Sequence, residues 1–549
     1  MATTSDPARR SGNYPPTIWD DSYIQTLSVG VTEEEEIRRD KLKEDVRHLM
    51  DKEKGLVEQL ELLDNLRQLG LSYHFEPEIK DVLKSINSME RINNELENNL
   101  HGNALLFRLL REYELDTSQL SVNLIDSFKS LKDGSKLKSL VHDIKGMLSL
   151  YEASYLAIEG EEALDEAGAV AAKYLGKVKG YASNRKIIEQ IDHALELPLH
   201  WRMPRLHSRW FIDAYVTQEN MVPMLLDLAK LDFNMVQSLH REELKEMSRW
   251  WNNLGLVCDE LKFARDRLAE HYLGVMSFSF EPQFWRCRKG ITKIGCFITT
   301  IDDIYDVYGT LDELELFTEV VDKWEFSAIQ LLPDYMKTCL TLLFNTMKEE
   351  IANTASTIQG SYVHSYLKRS WADLCKAYLT EAKWYHTGYT PTFNEYLENG
   401  WVSISSILPL AFAYCLSDDS TIESLSAFEF YREIVRYSSI LFRLYDDMAT
   451  SKAEMQRGDV PKSIQCYMKE KNVSESVARD YIKCLITKYW KLLNNELATN
   501  SIYLDPFKRV IINIPRMAQC MFQNGDGLGD PNLHTREKVI SLLIEPITL

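Results

Sequence analysis

No cysteine occurs before Cys258 in this 549-residue chain, and the nine present (Cys258, Cys287, Cys296, Cys339, Cys375, Cys415, Cys466, Cys484 and Cys520) form no Cys-x-x-Cys pair. That scatter excludes a disulfide frame and a zinc site of the usual spacing, and points to buried thiols in a reducing compartment. Positive charge is short as well: 63 Lys and Arg stand against 82 Asp and Glu, for a formal charge of −19. A nucleic-acid partner is excluded on this balance, because phosphate-backbone binding needs clustered cations that release counterions. A small anion remains compatible, held by a few arginines and by divalent cations that carboxylates bridge to it. No apolar run is long enough to span a bilayer; the best, Ile404 to Leu416, is interrupted by Pro409. The opening MATTSDPARRSG lacks an apolar signal core and is too short ahead of the first motif to be a transit peptide. The expectation is a cytosolic protein, or a plastid one whose leader has been trimmed.

Strand signals are equally scarce. No Asn-Gly hairpin sits between alternating runs, whereas Leu56 to Gly70 and Glu162 to Val178 carry apolar residues at three- and four-residue intervals with charges between. An all-α fold follows. The chain exceeds the usual single-core limit, and with 45% hydrophobic and 26% charged residues it has the composition of a folded globular protein. Residues up to about Asp21 are rich in Pro, Ser, Thr and Gly and read as an extended arm. Pro198 and Pro204 punctuate the middle, and long helices reopen near Met221 to Lys230, which sets an expected division into residues 1–222 and 223–549. The acidic run Glu33 to Glu36 reads as a solvated helix start favoured by the helix dipole.

The most informative stretch is GCFITTIDDIYDVYG, where an apolar stem from Ile294 to Ile301 meets Asp302, Asp303 and Asp306. Asp302 and Asp306 lie one helical turn apart, and two carboxylates stacked beyond a buried stem repel unless a cation sits between them; hard oxygen ligands at this spacing suit Mg²⁺. A solvated acidic patch is the competing account. A second cluster argues against it: in SSILFRLYDDMATSKAEMQRGD, Asp446, Thr450 and Glu454 fall at four-residue intervals after an apolar stem from Ile440 to Tyr445. Two such helices facing one cavity would make a metal site inside a bundle.

DDIYD and DDMATSKAE together resemble the aspartate-rich motif and the second metal motif, (N/D)Dxx(S/T)xxxE, of class I terpene synthases. Further matches are FARDR at Phe263 to Arg267, FEPQF at Phe280 to Phe284, DVYGTLDELELFT at Asp306 to Thr318, and an Arg-Arg-x8-Trp arm from Arg9 to Trp19. The similarity covers the whole chain and is strongest to the angiosperm monoterpene-synthase-like branch. The resemblance implies two helical domains, an N-terminal α-barrel-like domain with a capping arm and a C-terminal class I terpenoid synthase bundle.

It also implies roles. Asp302 and Asp306 would bind two Mg²⁺ ions, and Asp446, Thr450 and Glu454 a third, with Mn²⁺ as a possible substitute; Asp303 is the less certain member of its motif. Arg265, Arg267 and Arg443 resemble the arginines that bind the diphosphate, and with Asp302 they form the expected catalytic set. Guanidinium forks match phosphate oxygens, although Arg265 and Arg267 would serve equally in surface ion pairs. Arg9, Arg10 and Trp19 are expected to close the pocket mouth against water, the alternative being a free tail. Phe297, Trp401, Phe442 and Phe522 are candidate aromatic walls for a carbocation, or plain core. GWVSISS, from Gly400 to Ser406, resembles the family's kinked helix, with an exposed turn as the alternative.

Two positions depart from the family pattern. Gly274 stands where related synthases commonly carry Trp, and Phe522 where Tyr is frequent, leaving Asp526 as a polar pocket residue. The N-terminal half has no DxDD motif, so protonation-initiated cyclisation is not expected. Gly274 and the absence of a leader favour farnesyl diphosphate and a sesquiterpene product, acyclic and farnesene-like. The Arg-Arg-x8-Trp arm pulls toward geranyl diphosphate and a monoterpene. A chain-elongating prenyltransferase would need a second DDxxD in place of DDMATSKAE, and a non-catalytic helical scaffold would be indifferent to Mg²⁺. A monomer without nucleic-acid or membrane partners is expected.

Overall fold

The computed structural model describes residues 9–86, 89–115, 117, 143–180, 184–256, 261–354, 357–415, 432–456, 458–499 and 505–549. Cys258 and the side chain of Cys415 fall outside the described residues; the other seven cysteines are free thiols, and Cys484 is the one exposed among them. Every regular element among the described residues is a helix. None of these helices is long and apolar enough to cross a membrane.

The chain forms two compact units. One comprises Gly30–Ser238, Lys491–Ile502 and Glu545–Leu549; the other Met1–Val29, Leu239–Trp490 and Tyr503–Ile544. Pro223, next to the division expected from the sequence, is the first residue of the helix Pro223–Leu254. The arm, assigned from sequence to the N-terminal domain, groups with the second unit.

In the first unit the acidic run opens the helix Glu33–Lys52, where Thr32 and Glu35 form a capping box that satisfies two free N–H groups. The amphipathic stretches appear as the helices Leu56–Gln68 and Glu162–Lys179. Leu164, Ala167, Ala171, Leu175 and Val178 line one stripe of the latter and pack against Phe107, Leu150 and Ile191. Small residues on this stripe let the helices approach closely.

Seven helices of the second unit build a closed ring: α1 (Leu268–Phe278), α2 (Trp285–Asp303), α3 (Thr357–Thr387), α4 (Phe393–Ser403), α5 (Ile407–Cys415), α6 (Arg432–Gln456) and α7 (Asp505–Phe522). Around the ring α1 packs on α2, α2 on α5, α5 on α3, α3 on α4, α4 on α6, α6 on α7, and α7 on α1. The α1–α2 contact is close because residue 295 is glycine; a Cβ there would sit 3.2 Å from the His271 ring. In α7, Pro515 has no N–H to donate to the Ile511 carbonyl four residues back. The Ser438 hydroxyl of α6 donates to that carbonyl instead, at 2.8 Å, and joins the two helices where the proline opens one of them. A break at residues 404–406, with Ser405 at φ +68°, separates α4 from α5 inside the GWVSISS segment.

Candidate active site

The ring encloses a cavity of about 430 Å³. Asp302 reaches it from the last turn of α2, the end of a stem whose Ile291, Ile294 and Ile301 are buried. The α-helix then widens into a π turn, Ile304–Tyr308, closed by the Gly309 N–H donating to the Ile304 carbonyl. Asp306 sits in this turn and faces the same cavity. Single π turns concentrate at functional positions because the extra residue re-aims the side chains around it.

On the facing wall, Asp446, Thr450 and Glu454 line the cavity from one stripe of α6. Two helices far apart in the chain thus present oxygen donors to a common space. The second aspartate of each motif points elsewhere. Asp303 is fully buried and accepts from the Arg265 backbone N–H at 2.7 Å and its Nε at 3.1 Å. Asp447, also fully buried, accepts from the Tyr396 hydroxyl at 2.8 Å and from the Ser463 N–H.

Four cationic side chains line the cavity, Arg10 of the arm and, from the ring side, Arg265, Arg443 and Lys462. Arg265 donates to Asp302 at 2.5 Å and stacks over Tyr14 at 4.8 Å. Arg443 donates to Asp446 at 3.0 Å, to the Gly400 carbonyl at 3.2 Å and to Ser403 at 3.2 Å. Lys462, buried, lies 3.6 Å from Asp459 and 3.8 Å from Glu454. Arg267 is not brought to the cavity. Its guanidinium is turned away to donate to the carbonyls of Pro15, Asp266, Leu528 and Gly529, the nearest at 2.7 Å, so the second arginine of the RDR motif ties the arm to the 526–529 loop.

The arm runs along the cavity rim. Arg9 pairs with Glu313 at 2.5 Å and lies over the Tyr308 ring, Arg10 donates to the Asp306 carbonyl and lies 4.2 Å over Tyr385, and Trp19 is buried. Arg10, Ser11, Gly12 and Tyr14 form part of the cavity wall.

Whether this donor set suits a divalent cation is decided by atoms left without a hydrogen bond. Thr450 Oγ1 and Glu454 Oε2 are buried and accept no hydrogen bond. A helical threonine ordinarily satisfies its hydroxyl on the carbonyl one turn back. Burial pushes Asp306 well above the usual carboxylate range, with Asp302 and Asp459 adding to it, and burial does the same to Asp446 against the pull of Arg443. Carboxylates crowded this way are short of positive charge, and oxygen donors of this kind fit Mg²⁺. Among the described residues no three His, Cys, Asp or Glu side chains converge to hold an ion by themselves.

Of the four aromatic candidates, Phe442 and Phe522 line the cavity with ring centroids 6.1 Å apart. Phe297 is instead core, fully buried edge-on against Trp250 and Trp251, and Trp401 lines a separate cavity beside Arg432. Gly274 does face the cavity, and a Cβ there would stand in ordinary contact with Met517 Cγ and Sδ at 3.6 Å, so methionine borders the space the glycine opens. Asp526 lines the cavity while its Oδ1 caps the N–H groups of Leu528 and Gly529.

Several lining residues were not foreseen: Lys462, Asp459, Glu381, Tyr378, Glu270 and His271. Lys462 follows Gly458 and Pro461 in an irregular stretch where no periodicity marks a facing direction. Glu270 and His271 lie on a helix buried nearly all round, in which a cavity face and a core face read alike.

Comparison with known proteins agrees with this geometry. Residues 18–195 match the terpene synthase N-terminal domain, and residues 252–492 the metal-binding domain of the terpene synthase family. A (−)-alpha-terpineol synthase of Vitis vinifera is 48% identical over 98% of this chain and 91% of its own length. Monoterpene synthase 7, chloroplastic, of Hedychium coronarium is 47% identical over 99% of this chain and 92% of its own. The structure of isoprene synthase from Populus x canescens, in complex with three Mg²⁺ ions and dimethylallyl-S-thiolodiphosphate, superposes with a TM-score of 0.87 at 40% identity, covering 97% of this chain and 99% of that one. The chain belongs to the terpene synthase family. It is a lyase acting on prenyl diphosphates, with the two-domain helical fold of that family.

Proposed function

We propose that the protein is a magnesium-dependent monoterpene synthase that ionises geranyl diphosphate and converts the allylic cation to a C10 hydrocarbon or alcohol. The observation that carries this reading is the meeting of Asp302 and Asp306 with Asp446, Thr450 and Glu454 around one enclosed cavity. The C10 substrate, rather than the farnesyl diphosphate favoured by the sequence, is supported by the terpineol and monoterpene synthases among the relatives. Met517 supports it too, because its side chain bounds the space beside Gly274 at contact distance. The name of the Hedychium relative supports a plastid location over a cytosolic one.

In this reading Asp302 and Asp306 would hold Mg²⁺ from one wall, and Asp446, Thr450 and Glu454 from the other, three ions in all. Such ions would supply the positive charge that makes the diphosphate a leaving group without a protein acid. Arg443 and Lys462 already stand beside the acid tier and donate to the diphosphate oxygens; Arg265 joins them by exchanging Asp302 for phosphate. Phe442 and Phe522 offer ring faces to the cation. Arg10 to Tyr14 wall off bulk water, which would otherwise capture the cation indiscriminately.

The test is incubation with geranyl and farnesyl diphosphates in separate reactions, with Mg²⁺ or with chelator, followed by volatile analysis. C10 products that need Mg²⁺ and vanish in Asp302→Ala are expected. Preferential turnover of the C15 substrate would refute the chain-length assignment.

A further inference from the structure

The acid tier and the arginines account for leaving-group departure, and they leave open how the cation loses its proton. Beside that tier the cavity wall carries a set of apolar side chains, Val275, Phe278, Ile291, Ile298, Ile514 and Met521. Glu270 interrupts it from α1.

Its level in the cavity follows from helix geometry. His271 Nε2 meets Thr299 Oγ1 at 2.7 Å, and Thr299 precedes Asp302 by three residues on α2. Three residues of α-helix span about 4.5 Å, so this crosslink, with Glu270 beside it, enters the cavity about one turn below Asp302. A prenyl diphosphate held at the acid tier brings its first allylic carbons to that depth.

We propose that Glu270 is the base that ends the reaction, accepting a proton from the carbon adjacent to the cationic centre. This rests on the prenyl diphosphate reading of the same cavity. The C–H electron pair becomes the new π bond of the olefin, the cation is consumed, and the proton forms an O–H bond on the Glu270 carboxylate. The acid so formed passes its proton to water when the product leaves.

Other groups that could take the proton are engaged. Asp526 caps two backbone N–H groups, Glu381 accepts from Ser403 at 2.5 Å and from Asn399 at 3.0 Å, and Asp459 pairs with Lys462. His271 is bound to Thr299, and burial, with Arg265 and Arg267 nearby, brings it down to about 3, which makes it a poor acceptor. Glu270 is only 1% exposed, and its Oε2 is buried with no hydrogen-bond partner. A native protein rarely leaves a buried carboxylate oxygen unpaired without a use for it. Burial, opposed by a hydrogen bond from its own backbone N–H and by Arg267 and reinforced by Asp266, pushes the Glu270 carboxyl up to about 7, where it can both take and return a proton at neutral pH.

The experiment measures olefin and alcohol products per pyrophosphate released from geranyl diphosphate with Mg²⁺, in the parent, Glu270→Gln, Glu270→Met and Glu270→Asp. Both quantities come from the same turnovers, so a reduced folded fraction leaves their ratio untouched. Olefin per pyrophosphate is expected to fall about fivefold or more in the Gln and Met variants, with alcohols or shifted double bonds making up the difference, and to recover in part in Glu270→Asp. An olefin ratio and double-bond pattern equal to the parent's, in whichever of the Gln and Met variants accumulates, overturns the proposal and points to the departing diphosphate as base. No pyrophosphate release by the parent from geranyl diphosphate overturns the substrate reading instead; the ratio is then measured on whichever prenyl diphosphate the parent accepts.

Discussion

Asp446 and Asp447 are neighbours in sequence and stand in opposite surroundings: Asp446 faces the cavity beside Arg443, while Asp447 is sealed against the Tyr396 hydroxyl and the Ser463 N–H. Their alanine variants should therefore fail in different ways. Asp446→Ala is expected to lower kcat/KM by roughly 100-fold or more with little change in Tm, since Arg443 keeps Asp447, the Gly400 carbonyl and Ser403 as partners when Asp446 is lost. Asp447→Ala strands a buried hydroxyl and a buried N–H and should cost about 2–4 kcal/mol. Thermal melts beside steady-state kinetics separate the two; equal Tm losses would speak against the division.

The Ser438 to Ile511 hydrogen bond replaces one that Pro515 cannot make. Ser438→Ala should cost about 1–3 kcal/mol, because the Ile511 carbonyl is buried and loses its donor. In a Pro515→Ala background the loss should shrink, since the introduced alanine carries a backbone N–H aimed at the same carbonyl. A double-mutant cycle by chemical denaturation measures this, and strict additivity would contradict it.

The volume of the Met517 side chain adjoins the space beside Gly274 in the cavity wall. Met517→Ala empties that volume and is expected to raise the ratio of C15 to C10 turnover by roughly tenfold, the scale on which a few methylenes discriminate in an apolar pocket. Competition between the two diphosphates in one tube gives the ratio directly.

Glu270 has a consequence for stability as well as for chemistry. Its folded value, pushed up to about 7 by burial, lies above the roughly 4.3 of an unfolded glutamate. The folded state holds this proton more tightly, so the contribution to stability is full below about pH 4.3 and is lost as pH rises through about 7. Wild-type stability relative to Glu270→Gln should accordingly fall by up to about 3 kcal/mol between those values. A difference that stays flat from about pH 4.5 to about 7.5 would remove the basis for an elevated carboxyl.

Arg267 holds the Pro15 carbonyl at 2.8 Å together with two carbonyls of the 526–529 loop. Arg267→Ala should loosen the arm, and brief proteolysis should then cut within residues 9–19 faster than in the parent, while Arg265→Ala should lose turnover without that sensitivity. Mass mapping of the first cleavage site gives the answer.

The all-helical architecture was readable because amphipathic spacing survives in single sequences, as in the stripe Leu164, Ala167, Ala171, Leu175 and Val178. The two acid faces were readable for the same reason: an apolar stem fixes which way Asp302 and Asp446 look. Long-range partners were not. Nothing local distinguishes Arg265 from Arg267, and only the distant carbonyls of Pro15 and Leu528 turn the second away from the cavity. Phe297 and Phe442 likewise both follow a helical period, and the Trp250–Trp251 pair alone makes the former core. The packing of Met517, more than two hundred residues later, beside Gly274 lay equally out of reach.

Arg10 grips the arm to the molecule through the backbone oxygen of Asp306, in the single widened turn of the acid helix. Any substitution that re-registers Ile304–Tyr308 into ordinary helix would displace that oxygen along with the carboxylate. Such a variant would suffer a double injury, weakened ion capture and a leaking seal, and its few remaining turnovers would be marked by an excess of hydrated terpenoids.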